Sequence, residues 1–403
     1  MLKGKNILLG VTGGIAAYKA ADLVSKFVKQ GANVDVIMTE GATKFVTPLT
    51  FQTMSANQVH TEMFGLITNF DVEHISLAQK ADVILIAPAT ANTIGKIANG
   101  IADNMLTTVI MASTAKIIFA PAMNTNMYNN PIYKENMEKL KRLGHEFISP
   151  GIGRLACGDY GAGKMAEPAD IVDYVISNFV KKDLKGIKIL ITAGPTIEPL
   201  DPVRYITNHS SGKMGYSIAK NAIDRGAEVV LITGPTNLKP PKEAKIVRVR
   251  TTQDMFEEVG NYFENFDVLI KSAAPLDYRP ETVSEVKIKK KDDDILSLNL
   301  IRNQDIAAFY GQKKKKQIMV GFAAETNNVL EYALGKMKKK NFDFIVANDI
   351  TRAGAGFKTD TNIATIINKD GSMEEYPLME KSQLAKKILD RVLLLLDGAR
   401  YII

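Results

Sequence analysis

Short apolar runs alternate along the chain with longer stretches of helical period. Residues 6–12 (NILLGVT), 34–38 (VDVIM), 83–87 (VILIA) and 117–120 (IIFA) are almost continuously apolar, as expected of strands covered on both faces. Ala16 to Gln30 shows a helical period, and Gly31 supplies a stop. Strands separated by helices in this way predict a parallel sheet with helices on both sides. The pattern breaks between Pro150 and Pro168, which enclose five glycines and one cysteine. This reads as a loop or flap, longer than an ordinary connection and therefore a candidate for function.

A helix-like stretch, DIVDYVISNFV, leads into KKDLKG at 181–186, and the pattern then starts again. IKILITAGPT at 187–196 is followed by a helix near Gly215 to Arg225, and then by VVLITGPT at 229–236. VLIKSAAP at 268–275 and FIVAND at 344–349 continue the series. IATIINKD at 363–370 reads as a strand entering a hairpin, before a terminal helix around Ser382 to Leu396. The expected fold class is α/β: two doubly wound, Rossmann-like domains over residues 1–184 and 185–403. They share a style without an obvious repeated sequence.

Composition narrows the classes of function. At 403 residues, 46% hydrophobic and 24% charged, the chain has the make-up of a soluble α/β protein. The N-terminal apolar run ends by Thr12, too short for a signal peptide, and no window approaches the roughly 20 apolar residues that span a bilayer. A cytoplasmic protein with no membrane partner is expected. One cysteine excludes an intrachain disulfide framework, and His60, His74, His145 and His209 are not at metal-ligand spacing. The net charge of +7 lacks the aromatic interleaving of a base-stacking surface, so no nucleic-acid partner is expected. A positive field also suits phosphorylated small substrates.

Neither glycine-rich turn is decisive alone. GVTGGIAAYKA has the form of a strand-to-helix anion site, but it lacks the dinucleotide spacing G-x-G-x-x-G, and no Walker A lysine motif occurs in either half. A plain turn with close packing explains Gly13 and Gly14 equally well.

Longer segments are more specific. TGGIAAYK, VEHISLAQKADVILIAPATANTIGKIANGIADN, PAMNTNMYNNP and GRLACGDYGAGKM together span nearly the whole first half. They resemble the flavin-dependent cysteine decarboxylases, specifically the decarboxylase half of the bifunctional phosphopantothenoylcysteine decarboxylase/phosphopantothenate–cysteine ligases. The resemblance implies FMN as cofactor, His74 as a base-like catalytic residue, Asn124 as holder of the substrate carboxylate and Cys157 as proton donor. These residue types suit those tasks: imidazole exchanges protons near neutral pH, and a thiol, with a reference pKa near 8.5, donates one at modest cost. Direct decarboxylation of a cysteine amide would leave an unstabilised carbanion. The resemblance implies the solution: oxidised FMN takes a hydride equivalent and turns the thiol into a thioaldehyde, which serves as the electron sink, and after carbon dioxide leaves reduced FMN returns the electrons to the enethiol while Cys157 gives a proton. Gly13, Thr39, Thr90 and Asn92 are the expected FMN contacts, although Thr39 reads equally as a helix cap and Thr90 as a turn former. In GAGKM, Lys164 stands where many relatives carry arginine, which keeps the charge and loses the planar two-point grip.

In the second half, ITAGPTIEPLDPVRYITNHSSGKMG, SAAPLDYRP, VKIKK, VGFAAET and VANDI resemble the phosphopantothenate–cysteine ligase domain over most of residues 187–360. The resemblance implies CTP-dependent activation of the phosphopantothenate carboxylate as an acyl-cytidylate, which the amine of cysteine then opens. Magnesium is expected, held mainly by the nucleotide phosphates. Lys289 is the candidate for stabilising negative charge, with Lys287 and Lys290 beside it; composition alone reads this run as a solvated edge. Asn208 is the candidate for binding the acyl intermediate. Ser210, Ser211, Gly212 and Lys213 are assigned to the phosphate turn, and Gly194 is placed near the phosphates. Phe322 is assigned to the base, where a core position competes, and Asn348 with Asp349 to the base or ribose. The substrates expected are phosphopantothenate, cysteine and phosphopantothenoylcysteine. The resemblance also implies a homo-oligomer, a dodecamer built from trimeric flavin and dimeric ligase contacts. An NAD(P)H-dependent flavoprotein oxidoreductase is the alternative enzyme, and a nonenzymatic nucleotide-binding protein the alternative outside catalysis.

Overall fold

The computed structural model describes residues 2–63, 73–289, 296–325, 329–349 and 359–400. They form two compact units, Met1–Val180 and Lys181–Ile403.

The first unit is a six-stranded parallel sheet. Its strands are β1 (Asn6–Val11), β2 (Asn33–Met38), β3 (Val59–His60), β4 (Val83–Ala89), β5 (Lys116–Pro121) and β6 (Glu146–Phe147), in the order β3-β2-β1-β4-β5-β6. Every residue of β4 is buried, and alternate residues feed two cores. Leu85 and Ala87 join Phe27 and Val24 of the helix Ala17–Lys29 on one face; Ile84 and Ile86 join Leu106 and Val109 on the other. The valine, leucine, isoleucine and phenylalanine side chains gain about 1.5–3 kcal/mol each on full burial, so both faces of the sheet drive the unit's folding. Chain order reverses between β1 and β4, and the crevice at such a switch point is where doubly wound sheets bind ligands. The 150–168 segment, expected as a loop, contains a hairpin of β7 (Gly151–Arg154) and β8 (Tyr160–Lys164). Its glycines hide it from any period-2 reading.

The second unit contains β9 (Lys188–Ala193), β10 (Ile197–Pro199), β11 (Tyr205–Thr207), β12 (Glu228–Thr233), β13 (Lys245–Arg248) and β14 (Val268–Lys271). It continues with β15 (Tyr278–Pro280), β16 (Leu300–Arg302), β17 (Ile318–Glu325), β18 (Phe344–Asp349), β19 (Thr361–Asn368) and β20 (Met373–Glu380). The main sheet runs β13-β12-β9-β14-β17-β18-β19-β20, parallel as far as β18, and its switch point lies between β9 and β14. The strands β19 and β20 are antiparallel, as the hairpin expected after IATIINKD requires, and the helix Lys381–Arg400 follows.

This unit begins four residues before the boundary expected from the sequence, because the connecting segment packs into it. Leu184 is fully buried in its core. The buried Arg225 holds Asp183 with Nε and Nη2 at 2.8 and 3.1 Å and Asp390 with Nη1 at 2.7 Å. A two-point guanidinium–carboxylate grip of this kind ties the entering chain and the C-terminal helix to one residue.

Candidate functional sites

In the first unit, the C-terminal ends of β1, β2, β4 and β5 open onto a cavity of about 930 Å³. Gly13 follows β1, and a Cβ there would lie 2.8 Å from the Gly41 backbone; only glycine permits this approach. The helix Ala17–Lys29 then starts beside the cavity without a side-chain cap; Ala17 N donates to Gly14 O at 2.9 Å and Lys19 N to Ala16 O at 3.0 Å in its first turn. Thr39 and Thr90 line the same cavity, yet both also cap helices: Thr39 Oγ1 accepts from Ala42 N, and Thr90 Oγ1 from Thr93 N, each at 3.3 Å. The capping and lining roles are therefore compatible. Buried Thr12 braces this wall, donating to Pro88 O at 2.6 Å and accepting from Thr90 N at 3.2 Å.

Asn124, just after β5, and Cys157, in the hairpin turn, meet at the cavity wall. Asn124 Oδ1 accepts from Asn126 N at 2.8 Å, which orients the amide. Its Nδ2 donates to Cys157 Sγ at 3.3 Å and to Asp159 Oδ2 at 2.9 Å, and Cys157 Sγ donates to the same carboxylate oxygen at 3.4 Å. The hairpin is held against this wall by glycines. A Cβ on Gly163, at φ +138°, would meet Met123 O at 2.2 Å, and one on Gly161 would meet Thr125 Oγ1 at 2.5 Å. Asp159 was not legible as a site residue, since an aspartate within CGDYG reads as a turn former.

Lys164 lines the cavity and pairs with Glu167 at 3.1 Å; Lys19 pairs with the same carboxylate at 3.1 Å. Hydrogen bonds from Lys164 and then Lys19 hold the Glu167 carboxyl below its ordinary value. Asn92 also lines the cavity, but His74 does not. It is half-buried in the first turn of the helix Glu73–Lys80, whose Leu77 and Ala78 belong to the core of the sheet's other face.

In the second unit, Gly194 and Gly212 come together beyond β9. Both have positive φ (+74° and +78°), and a Cβ on either would press on Thr236 Cγ2 at 2.8 or 2.9 Å. Gly212 opens the helix Lys213–Asp224, which has no side-chain cap. Ser210 N donates to Asn208 O at 2.8 Å, and Lys213 N to Ser211 Oγ at 3.5 Å, forming the turn before that helix. The Lys213 ammonium is directed to Asp360 at 2.7 Å. Asn208 Nδ2 donates to Ala274 O and Pro275 O, both at 3.2 Å, so the turn meets the loop after β14 across the switch point.

The other expected residues are more dispersed. Phe322 is half-buried on β17 and packs against the unit's core. Asn348 is half-buried near the end of β18; Lys290 and the Asp349 side chain lie outside the described residues. Lys287 and Lys289 are exposed on the segment before β16.

Lys271, at the end of β14, was missed because an apolar strand hides its single charge. Burial pushes its ammonium from the usual 10.5 down to about 8, helped by Lys340 and Lys336 and opposed by Asp305 and Asp277. Between those two pH values the unfolded chain carries a proton that the folded chain has shed, so folding stability is expected to rise with pH from 8 towards 10. Thermal unfolding of the second unit should show this rise in the wild type and a flatter profile in Lys271→Met. Parallel profiles would refute it.

The family profile described as Flavoprotein matches residues 1–180, and that of the DNA/pantothenate metabolism flavoprotein C-terminal domain matches 184–395. The coenzyme A biosynthesis bifunctional protein CoaBC of Bacillus subtilis is 49% identical over 396 residues, covering 97% of each chain.

The chain belongs to this bifunctional family of coenzyme A biosynthesis.

The CoaBC protein of Escherichia coli is 43% identical over 395 residues, covering 97% of each chain. A solved C-terminal domain of a CoaBC protein is 45% identical and covers 54% of this chain and 100% of its own, with a TM-score of 0.47. From the two family profiles and the full-length relatives, the chain is a bifunctional enzyme, a phosphopantothenoylcysteine decarboxylase fused to a phosphopantothenate–cysteine ligase, and its first unit is a flavoprotein domain. Among the described residues no helix is long and apolar enough to cross a membrane.

Proposed function

We propose that the cavity of the first unit holds FMN and that Asn124 and Cys157 act on the cysteine end of the substrate. The contact among Asn124, Cys157 and Asp159 carries this reading, because it sets an amide and a thiol side by side at a cavity wall. FMN fits what surrounds it: the close approach of Gly13 and Gly41 shapes a phosphate end, and Lys19 and Lys164 line the same cavity with positive charge. When bound, it supplies the reversible two-electron chemistry. Asn124 holds the carboxylate without a formal charge, so little stabilisation is lost as carbon dioxide leaves. Cys157 delivers a proton from Sγ to the enethiol carbon, and Asp159 orients the S–H that does so. His74 does not line its own chain's cavity, so in this reading a second copy supplies it. The same reading keeps a homo-oligomer, with trimeric flavin and dimeric ligase contacts combined into a dodecamer.

In the second unit we infer a CTP- and magnesium-dependent reaction at the β9/β14 switch point. The turn from Asn208 to Lys213 and Gly194 receive the phosphates, Phe322 and Asn348 with Asp349 are assigned to the nucleoside, and Lys289, flanked by Lys287 and Lys290, stabilises the charge that develops as the acyl-cytidylate forms. A cytoplasmic location suits these substrates. The test is mass-resolved product formation from phosphopantothenate and cysteine, with magnesium and CTP or ATP in parallel. 4'-Phosphopantetheine should form, faster with CTP. Equal rates with ATP would remove the CTP assignment, and accumulation of phosphopantothenoylcysteine in FMN-loaded protein would remove the flavin-site reading.

A further inference from the structure

The exposed segment that carries Lys287 and Lys289 is gripped at one residue, Ile288, from two sides. Ile288 donates its N–H to Asp201 Oδ2 at 3.1 Å, and its carbonyl accepts from Arg204 Nη2 at 3.0 Å. The approach to Ile288 is also pinned: Ser284 N donates to Leu200 O at 3.0 Å, and Ser284 Oγ donates to Val286 O at 2.6 Å. The Asp201 side chain is completely buried. Its Oδ1 accepts from Val203 N and Arg204 N at 2.8 and 2.7 Å, which is all the local turn requires. The second oxygen is spent on a peptide 87 residues away. Burial opposes the charge, but the N–H groups of Val203, Ile288 and Arg204, aided by the Arg204 guanidinium, hold the carboxyl below its ordinary value. The grip therefore stays anionic at neutral pH.

We propose that Asp201 is a positioning residue of the ligation reaction: by holding the Ile288 peptide it fixes the segment from which Lys287 and Lys289 reach the reacting phosphate. The inference rests on the role given to Lys289 above. Ile288 is half-buried while its two neighbours are exposed, so the grip falls on the backbone and leaves both lysine heads toward solvent. A lysine on an ungripped segment would have to lose that freedom in each transition state. Misplacement by about 1 Å can lower a rate by as much as about 100-fold.

Asp201→Asn separates the two functions of the carboxylate. The amide oxygen can still accept from Val203 and Arg204, and the amide nitrogen then faces the Ile288 N–H, donor against donor. The full-length variant is expected to keep cooperative unfolding and to decarboxylate supplied phosphopantothenoylcysteine at the wild-type rate. Ligation kcat should fall by about 10- to 100-fold with KM for the nucleotide little changed, and trypsin should cut faster after Lys287 and Lys289. Should Asp201→Asn fail to fold, Arg204→Lys, at a partly exposed side chain, breaks the other end of the grip and should move both readouts the same way. A folded variant with wild-type ligation kcat, or one with lowered kcat and unchanged trypsin cleavage, would overturn the proposal. Lys287→Gln and Lys289→Gln, measured alongside, identify which part failed. If both ligate at the wild-type rate, the lysine assignment falls and the positioning role with it. If Lys289→Gln is inactive while Asp201→Asn is fully active, only the positioning role falls.

Discussion

The Cys157→Ser variant is expected to release carbon dioxide from phosphopantothenoylcysteine while forming 4'-phosphopantetheine about 10²- to 10⁴-fold more slowly than wild type. The two steps separate because they call on different atoms. Release of carbon dioxide needs the carboxylate held by Asn124, whose amide is oriented by Asn126 N at 2.8 Å and by Asp159 at 2.9 Å, contacts that do not involve the Cys157 sulfur. Completion needs a proton delivered to carbon, and a hydroxyl is a far weaker acid than a thiol. Serine preserves the hydrogen bond to Asp159 while losing that acidity, so the defect should be chemical and not conformational. Labelled carbon dioxide and mass-resolved organic products, followed together, distinguish the cases. Wild-type formation of 4'-phosphopantetheine would remove Cys157 from the mechanism; loss of both products would place its role before decarboxylation.

The Lys289→Gln variant should lose ligation by about 10²- to 10³-fold, the usual cost of removing one preorganised donor to developing charge. Glutamine approximates the reach and polarity of lysine without its charge, so an effect of this size reports electrostatics. Lys287 is also exposed on the same short segment, and Lys287→Gln should show a smaller loss if Lys289 is the acting residue. Pyrophosphate release and phosphopantothenoylcysteine formation read the step directly. Decarboxylation of supplied phosphopantothenoylcysteine serves as an internal control, since its residues belong to the other compact unit. A Lys289→Gln enzyme that ligates normally would move the charge-stabilising role elsewhere.

The sites were unevenly legible. Cys157 stood out because a lone cysteine in a glycine-rich stretch has little structural reason to be there. Asp159, two residues later, was indistinguishable from a turn former, and its meaning comes from Asn124, 35 residues away in sequence. Thr39 and Thr90 were ambiguous between cap and ligand contact; in the structure their hydroxyls cap helices while the residues line the cavity. His74 was singled out by resemblance, and the fold sets it on a helix outside its own chain's cavity. Asp201 was not singled out within its motif, because DPVR is an ordinary turn sequence until Ile288 arrives as a third donor beside Val203 and Arg204.

The sequence by itself determined the elements whose cause is local. Buried parallel strands announce themselves as apolar runs, amphipathic helices by their period, and the restart after KKDLKG by repetition of both. The motifs also carried the family, since they pair chemistry with spacing over nearly the whole chain. Only the tertiary structure decided which polar groups share a hydrogen bond, because that depends on chain crossings. Arg225 joining Asp183 to Asp390, Asn124 joining Cys157 to Asp159, and Asp201 gripping Ile288 each unite segments far apart in sequence. A short-range pattern records what a residue prefers to bury. It does not record which distant donor will meet it once the sheet has brought the loops to one edge.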